Sequence, residues 1–587
     1  MRRRGLGNRP LFLRDLKASL SSYVTLRVVK YSFMKFSLAL VLFIVLPLSL
    51  TAEATPRIFF SDLESGPNIG GQKNHGAWVT IWGKGFGAER GGSTVTIGRG
   101  GAAEYPIWTD TKITFQLGPA AKTGDIVVNL KGKSAVTTSN GIPFTVRAGK
   151  IYFVAVNGGD HRNGSFMAPW KTIVHAKNRM SPGDVTYIKD GVEQTSEEHF
   201  NAYLSMDRDG GGNSGKAGAP KALVAYPGAR VTIGKAHGLE YGLRTPNIDA
   251  REDWWVISQL HIIGGKQAID MGGVGWKIVG NDIECPGGDG QVGCVEASGA
   301  SGLRFYGNEV HNAGGGPAAS KYYHAVYLST DSNHIDVGWN HIHDNMTCRA
   351  VQFHSSPLCR PDCGAPDQTG HDQFDLHVHD NLIHGDSCNG INFATVDPGK
   401  GPVEAYNNVI YHVGLADPED GGGAFSCIYV AGTTNTGPAG SGTVEVFNNT
   451  LYDCAANRSR NSDGSRGAFS VGGGKLTMRL RNNIVYQLPG EVYLDGSKAQ
   501  ITGEKNLWFG AGNGPGQTSG NVGGDPQFVD LGKFDLHLRG TSPARDAGTT
   551  VLPNNPFVVS KGGATDKDGA ARPQGKAFDL GAYEIPN

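Results

Sequence analysis

Apolar and polar residues alternate in short runs along most of this chain, and the runs return in register. The stretch Tyr322–Ser355 holds one complete unit and the start of the next. His324-Ala325-Val326-Tyr327-Leu328-Ser329 alternates with period two, His334-Ile335-Asp336-Val337 does so again, Asn340 and Ile342 follow, and the pattern resumes at Arg349-Ala350-Val351-Gln352-Phe353-His354. Period two is the mark of a strand whose alternate side chains share a face. An asparagine two residues ahead of an apolar residue labels each unit, at Asn281, Asn308, Asn340, Asn381, Asn408, Asn449 and Asn483, and more weakly at Asn506. From Asn308 on, an apolar residue stands five positions before it: Leu303, Ile335, Leu376, Val403, Val444, Met478 and Ile501. The spacing of roughly 23–41 residues falls in the range of solenoids and arrays. Such strands bury their apolar face only when stacked on the next unit. The pattern therefore predicts parallel strands about 4.7–4.9 Å apart, with the asparagines bonding from turn to turn at a bend.

The first strands of successive units align as columns. Inward positions are Val295 and Ala297, Val326 and Leu328, Val351 and Phe353, Ile391 and Phe393, Ile428 and Val430, Phe469 and Val471. Outward positions form three columns: Gly293, His324, Arg349, Asn389, Ser426; then Glu296, Tyr327, Gln352, Asn392, Tyr429; then Ser298, Ser329, His354, Ala394, Ala431. Titratable and amide side chains crowd the central turns and give way to small residues at the flanks.

The repeat resembles the right-handed parallel β-helix of the pectate-lyase-like superfamily, over about Ile151 to Asn587. The opening Ile151–Asp160, Ala168–Ile173 and Ser181–Ile188 is similar to that family's first turn, where a short helix, here Trp170–Asn178, covers the exposed sheet edge. Asp525–Asp530, Ser542–Gly548 and Asp579–Glu584 resemble the closing segment of bacterial secreted β-helix proteins. Upstream, short β-rich runs separated by turns predict a small β-sandwich. Its phrases Val79–Gly87, Thr111–Phe115 and Ile142–Val146 resemble an IPT/TIG immunoglobulin-like domain, a spacer or binding module. The expected fold is all-β, a right-handed parallel β-helix preceded by an immunoglobulin-like β-sandwich. The expected division is residues 55–147 for the sandwich and 148–587 for the solenoid, with a cap at about 151–191 and closure at about 525–587.

Residues 1–54 read as a signal peptide region. Met34-Lys35, an apolar run from Phe36 to Leu50 and Ala52-Glu53-Ala54 supply the three parts of a cleaved leader, and translation starting at Met34 is an alternative. The run is short for a membrane span, so no stable insertion is expected. Glycine, 87 of 587 residues, is about twice as frequent as the usual 7%, which suits many tight bends. Lys and Arg balance Asp and Glu at 54 each, which argues against a nucleic-acid partner. The eight cysteines fit an oxidising, extracellular or periplasmic setting. Register places Cys348 and Cys388 in neighbouring turns within bridging range. Cys285 and Cys294 flank a Gly-rich loop, Cys359 and Cys363 share the insertion Ser355–Gly370, and Cys427 with Cys454 is the remaining pair.

The central patch has the parts that β-elimination of a uronate chain requires. His324, or a deprotonated Tyr327 or Tyr323, would take the C5 proton. Arg349 with Gln352 or Asn389 would neutralise the growing enolate charge, and Tyr327 or His354 would protonate the leaving oxygen. Asn392, Glu296, Lys321 and Tyr429 complete the substrate contacts. No catalytic residue carries over from a relative: paired-Asp hydrolase motifs are missing, and His354 stands where a chondroitinase-B-like arginine would. His371, Asp372, Asp375, His377 and His379 form a candidate divalent-cation cluster, Ca2+ being one option, with Asp372, Asp375 and His377 as the leading ligands. His311, His343 and His384, continued by Tyr411, Tyr452 and Tyr486, read as an aromatic stack. The favoured function is a lyase acting on an acidic polysaccharide. A glycoside hydrolase needs a carboxylate pair, for which Glu296, Asp331, Asp336 and Asp375 are the central candidates. A non-catalytic carbohydrate-binding or adhesion protein is the third reading. A stacked core needs no partner, so a monomer is expected.

Overall fold

The computed structural model describes residues 55–245, 251–315, 320–355, 373–415, 425–432, 440–456, 466–472, 475–495, 500–556 and 564–586. The leader region, Cys359, Cys363, His371, Asp372 and most of the long insertions lie outside the described residues. Strands begin at once. Thr94–Ile97 buries Val95 and Ile97 and turns its threonines outward, the alternation that β-branched residues favour. Nine strands between Arg57 and Val146 join in one curled sheet. It closes on a core that includes Val79, Ile81 and Phe115 from one side and Val95, Ile126 and Val128 from the other.

From Ile151 the chain winds as a right-handed parallel β-helix. Three sheets of twelve, twelve and ten strands are assembled from the described residues, and apart from one end of each twelve-stranded sheet the neighbours are every third strand of the chain. The first sheet runs from Ile151–Val154 to Gln500–Glu504, the second from Glu193–Gln194 to Val522–Gly523, and the third from Ala202–Ser205 to Leu494–Asp495. Like residues stack: Ile335 pairs with Leu376, Ile342 with Ile383, and Val326 with Val351. The ladder asparagines occupy the bend between first and second sheets. Each Nδ2 donates to the next turn's Oδ1, at 2.9–3.1 Å from Asn281 through Asn506. Each Oδ1 also accepts the preceding asparagine's backbone N–H, as Asn381 does from Asn340 at 2.9 Å. The residue before the asparagine takes a left-handed conformation even when it is Trp339 (φ 56) or Asp380 (φ 53), so the ladder holds a bend that non-glycine residues resist.

The open N-terminal end is covered by the helix Ile173–Arg179, three residues inside the expected start. The Thr172 hydroxyl accepts from the His175 N–H at 3.2 Å and Asp160 accepts from the backbone N–H groups of Lys171 and Thr172, which settles the helix's first donors. Inside the cap Lys177 is fully buried against Glu198, 3.0 Å away. Among the described residues three disulfides lie where the sequence places them: Cys285–Cys294, Cys348–Cys388 and Cys427–Cys454, with Cα separations of 5.7, 4.6 and 5.3 Å.

Two flanking structures cover the outside of the solenoid. The N-terminal sheet shares one apolar core with Phe153, Val185, Tyr187, Val224 and Val256 of the first sheet. The Tyr187 hydroxyl donates to the Trp78 carbonyl at 2.7 Å, and Glu64 bonds both Lys277, at 2.7 Å, and Arg304. Two ladder bends carry glycine for this reason: a Cβ at Gly307 would meet Phe60 at 2.5 Å and one at Gly280 would meet Trp82 at 2.7 Å. At the other end the closing segment folds back. Leu536, Leu538, Leu580 and Ala582 pack on Val409, Ile484 and Leu507 of the second sheet. Asn554 and Asn555 bond Glu404 and Asp336 of the first sheet. The packing contacts of both structures therefore fall on the first two sheets.

Candidate functional site

The third sheet carries the crowded polar columns. Its register reproduces the sequence alignment: Gly293 pairs with His324, His324 with Arg349 and Arg349 with Asn389. Beside it run Glu296, Tyr327, Gln352, Asn392 and Tyr429, each paired with the next. Ser329 pairs with His354. Strict alternation would turn His324 inward with Val326. Instead its ring packs edge-on against Tyr327, centroids 5.0 Å apart, while Ala325 joins the core.

The row is recessed. His324 is 3% exposed, Asn389 is fully buried, and Gln352 and Asn392 are buried beside them. Buried polar atoms normally find partners. Here the Asn392 amide donates to Gln352 at 2.6 Å and Asn389 donates to the Ser426 carbonyl at 3.3 Å. Yet His324 Nδ1, Asn389 Oδ1 and Asn392 Oδ1 have no hydrogen-bond partner among the described residues. Three such atoms, on the two strands that flank the Arg349 strand, make a surface that a hydroxylated ligand would satisfy. Arg349 donates to the Lys321 carbonyl at 2.8 Å, so Lys321 enters the site through its backbone and its ammonium lies 5.0 Å from the Tyr322 ring. The Tyr327 hydroxyl lies 3.2 Å from His354 Nδ1.

Burial and the Arg349 charge hold both histidines neutral. Burial, then Arg349 and His354, push His324 well below the usual imidazole range. Burial and Arg349 bring His354 down to about 4. Tyr323 is a different case: it is fully buried, its hydroxyl donates to the Lys266 carbonyl at 2.6 Å, and burial raises it well above the ordinary phenol value. Held as a donor in that contact, it presents no base to the groove.

The column also extends upstream of the residues singled out from sequence. Glu296 pairs with Asp270 and Asp270 with Arg244, which bonds the Asp270 carboxylate at 3.2 Å. Burial and the Asp270 charge raise Glu296 to about 8, and burial brings Asp270 to about 6. Gln267 donates to Glu296 at 3.0 Å and Ser329 does so at 3.4 Å. A carboxyl whose folded value lies above its unfolded value stabilises the fold at acid pH, and that contribution is lost as pH rises through the folded value. Glu296→Gln, which keeps a neutral side chain, is expected to leave the melting temperature unchanged near pH 4. It should raise it above that of the native chain near pH 8. Thermal melts across that range check this; parallel curves for the two proteins would contradict it.

The other sequence candidates lie apart. Asp336 and His377 pair in the first sheet and sit in a buried network. His377 is held between Asp375, 3.0 Å away, and Glu404, 3.2 Å away. His379 is held between Asp336 and Asp380 at 2.8 and 2.7 Å. Their carboxylate partners hold both histidines as cations, at about 9, with both ring nitrogens engaged. They form a buried charge clamp under the closing segment; the candidate cation cluster also includes His371 and Asp372, which lie outside the described residues. Asp331 lies in the turn after the His324–Ser329 strand with φ 59.

Stacked parallel sheets, an asparagine ladder and a recessed polar row define this chain's main part as a right-handed parallel β-helix. Residues 66–146 match the IPT/TIG domain family. Among solved structures the chain is similar to pectate lyase Pel9A, at 15% identity and a TM-score of 0.49 over 74% of this chain and 96% of that one. It is also similar to a rhamnogalacturonan lyase, at 13% identity and 0.29 over 60% and 87%, and to XylC in complex with xylose, at 10% identity and 0.40 over 74% and 98%. No curated protein matches the chain. At such identities the likeness concerns the fold, and the chemistry has to be read from the residues of the groove.

Proposed function

We propose that this protein is an exported enzyme that cleaves a uronate-containing polysaccharide by β-elimination on the outward face of the third sheet. The observation that carries this reading is the juxtaposition of Arg349 with His324, register neighbours. One is a fixed cation. The other is a buried neutral imidazole whose Nδ1 has no hydrogen-bond partner among the described residues. A uronate carboxylate on Arg349 makes the C5 proton more acidic and offsets the charge that keeps the histidines neutral. His324 accepts the proton, the C5 electrons form the C4–C5 double bond, and the C4–O bond breaks. The Tyr327 hydroxyl, backed by His354, gives its proton to the leaving oxygen, and the proton held by His324 returns through solvent. Glu296, neutral at pH 7 because its value is raised to about 8, adds no repulsion against a polyanion. The three disulfides support export to an oxidising compartment. Among the described residues no helix is long and apolar enough to cross a membrane.

The purified chain is to be incubated with a panel of acidic polysaccharides while ultraviolet absorbance is followed. The unsaturated uronate product absorbs, and the expected rise disappears in His324→Ala. New reducing ends without absorbance favour the second reading, a glycoside hydrolase. Asp270 and Glu296 support that reading: they are register partners on adjacent strands, the kind of close carboxyl pair such an enzyme needs, with values of about 6 and about 8. Binding to the panel with no product of either kind would leave a carbohydrate-binding role.

A further inference from the structure

On the second sheet, away from the Arg349 row, we infer that His341, His343 and His384 form a binding site for a transition-metal ion of the Zn2+ class. His341 and His343 flank Ile342 on one strand, so they share its outward face, and His343 pairs with His384 of the next turn. One nitrogen from each ring lies within 4.8 Å of the others. His341 Nε2 and His384 Nε2 are 2.9 Å apart. Two ring nitrogens can face each other so closely by sharing one proton or by sharing an ion, and a Zn–N bond of about 2.0–2.1 Å fits between them after a small rotation.

The surroundings suit a ligand set. His343 is flanked by Asp344 at Nδ1, 2.9 Å, and Glu309 at Nε2, 3.2 Å. One carboxylate would give way to the ion and the other would stay, orienting the ring as outer-shell carboxylates do. The rings are walled by stacking: His311 on His343 at 5.5 Å, and Tyr411 on His384 at 4.7 Å. That ring column explains His343 and His384. His341 lies outside that column, its register partners being Glu309 and Leu382, and its ring stacks on His343 from the side at 3.9 Å. Three imidazoles exclude Ca2+, which needs an oxygen cage, and favour Zn2+, Ni2+ or Cu2+. An ion here would join two successive turns.

The test uses the full chain without a polyhistidine tag, stripped with a chelator and titrated calorimetrically with Zn2+ and separately with Ca2+ at pH 7. The expected result is one Zn2+ per chain, no Ca2+ binding at this site and a melting temperature raised by Zn2+. His341→Asn and His384→Phe are expected to weaken Zn2+ binding at least about tenfold and to abolish the thermal shift. His384→Phe keeps a ring against Tyr411, so the fold is retained. The inference is overturned if Zn2+ does not bind, if it binds His384→Phe as tightly as the native chain, or if Ca2+ binds with the same stoichiometry and is lost in the same variants.

Discussion

Arg349→Ala is expected to lower kcat/KM on an acidic polysaccharide by about 10²–10³-fold, the usual cost of removing one group aimed at charge that grows in the transition state. The guanidinium is held in place by its donation to the Lys321 carbonyl, so it is preorganised rather than recruited. Two effects oppose each other. Removing the cation relieves the charge that depresses His324 and His354, which makes the imidazoles better bases. It also removes the stabilisation of the enolate. The second effect dominates because a stronger base cannot help while the carboxylate beside the reacting carbon stays unneutralised. Arg349→Lys is expected to recover part of the rate, since it keeps the charge but loses the planar fork. Steady-state rates of product absorbance for the three proteins check this, and wild-type rates in Arg349→Ala would remove the arginine from the mechanism.

Asn381→Leu is expected to destabilise the solenoid by about 3–5 kcal/mol, the range for breaking a buried polar network. Asn381 is fully buried. Its Nδ2 donates to the Val337 carbonyl at 2.9 Å and to Asn408 Oδ1 at 3.0 Å, and its Oδ1 accepts from Asn340 N and Nδ2, both at 2.9 Å. Leucine is close in size but strands the Val337 carbonyl and two Asn340 donors away from water. Asp380 would lose part of the support for its left-handed conformation (φ 53). The midpoint of urea unfolding reports the loss, and a midpoint within error of the native chain would show that the ladder contributes little.

The ladder, the stacked parallel strands and the His324–Arg349–Asn389 register were legible because each rests on a short repeated pattern that stacking turns into proximity. The same register located Cys348 beside Cys388. Asp270 and Arg244 were missed because the Asn marker begins at Asn281, so the turns before it had no label to align on. The carboxylate partners that enclose His377 and His379 are not legible in the local sequence. The burial of this clamp depends on Asn554 and Asn555, which arrive from far along the chain, and no local pattern announces that return. Tyr323 was placed beside the groove by sequence adjacency to His324, whereas its ring turns under the loop towards Lys266.

The closing segment changes how this molecule comes apart. A plain solenoid behaves as a one-dimensional array whose end units fray independently of its middle. Here the last residues of the chain run back over several turns. Asn407 donates to the Thr565 carbonyl, the Thr450 hydroxyl accepts from the Ala582 N–H, and Arg572 and Glu584 form a fully buried pair beside them. The last turns are therefore strapped to the centre, and opening them means first peeling off a segment that also covers the second sheet. Amide hydrogens of the final coils should then exchange in step with those of the central ones, and a protease that trims the C-terminus would loosen turns far from its cut.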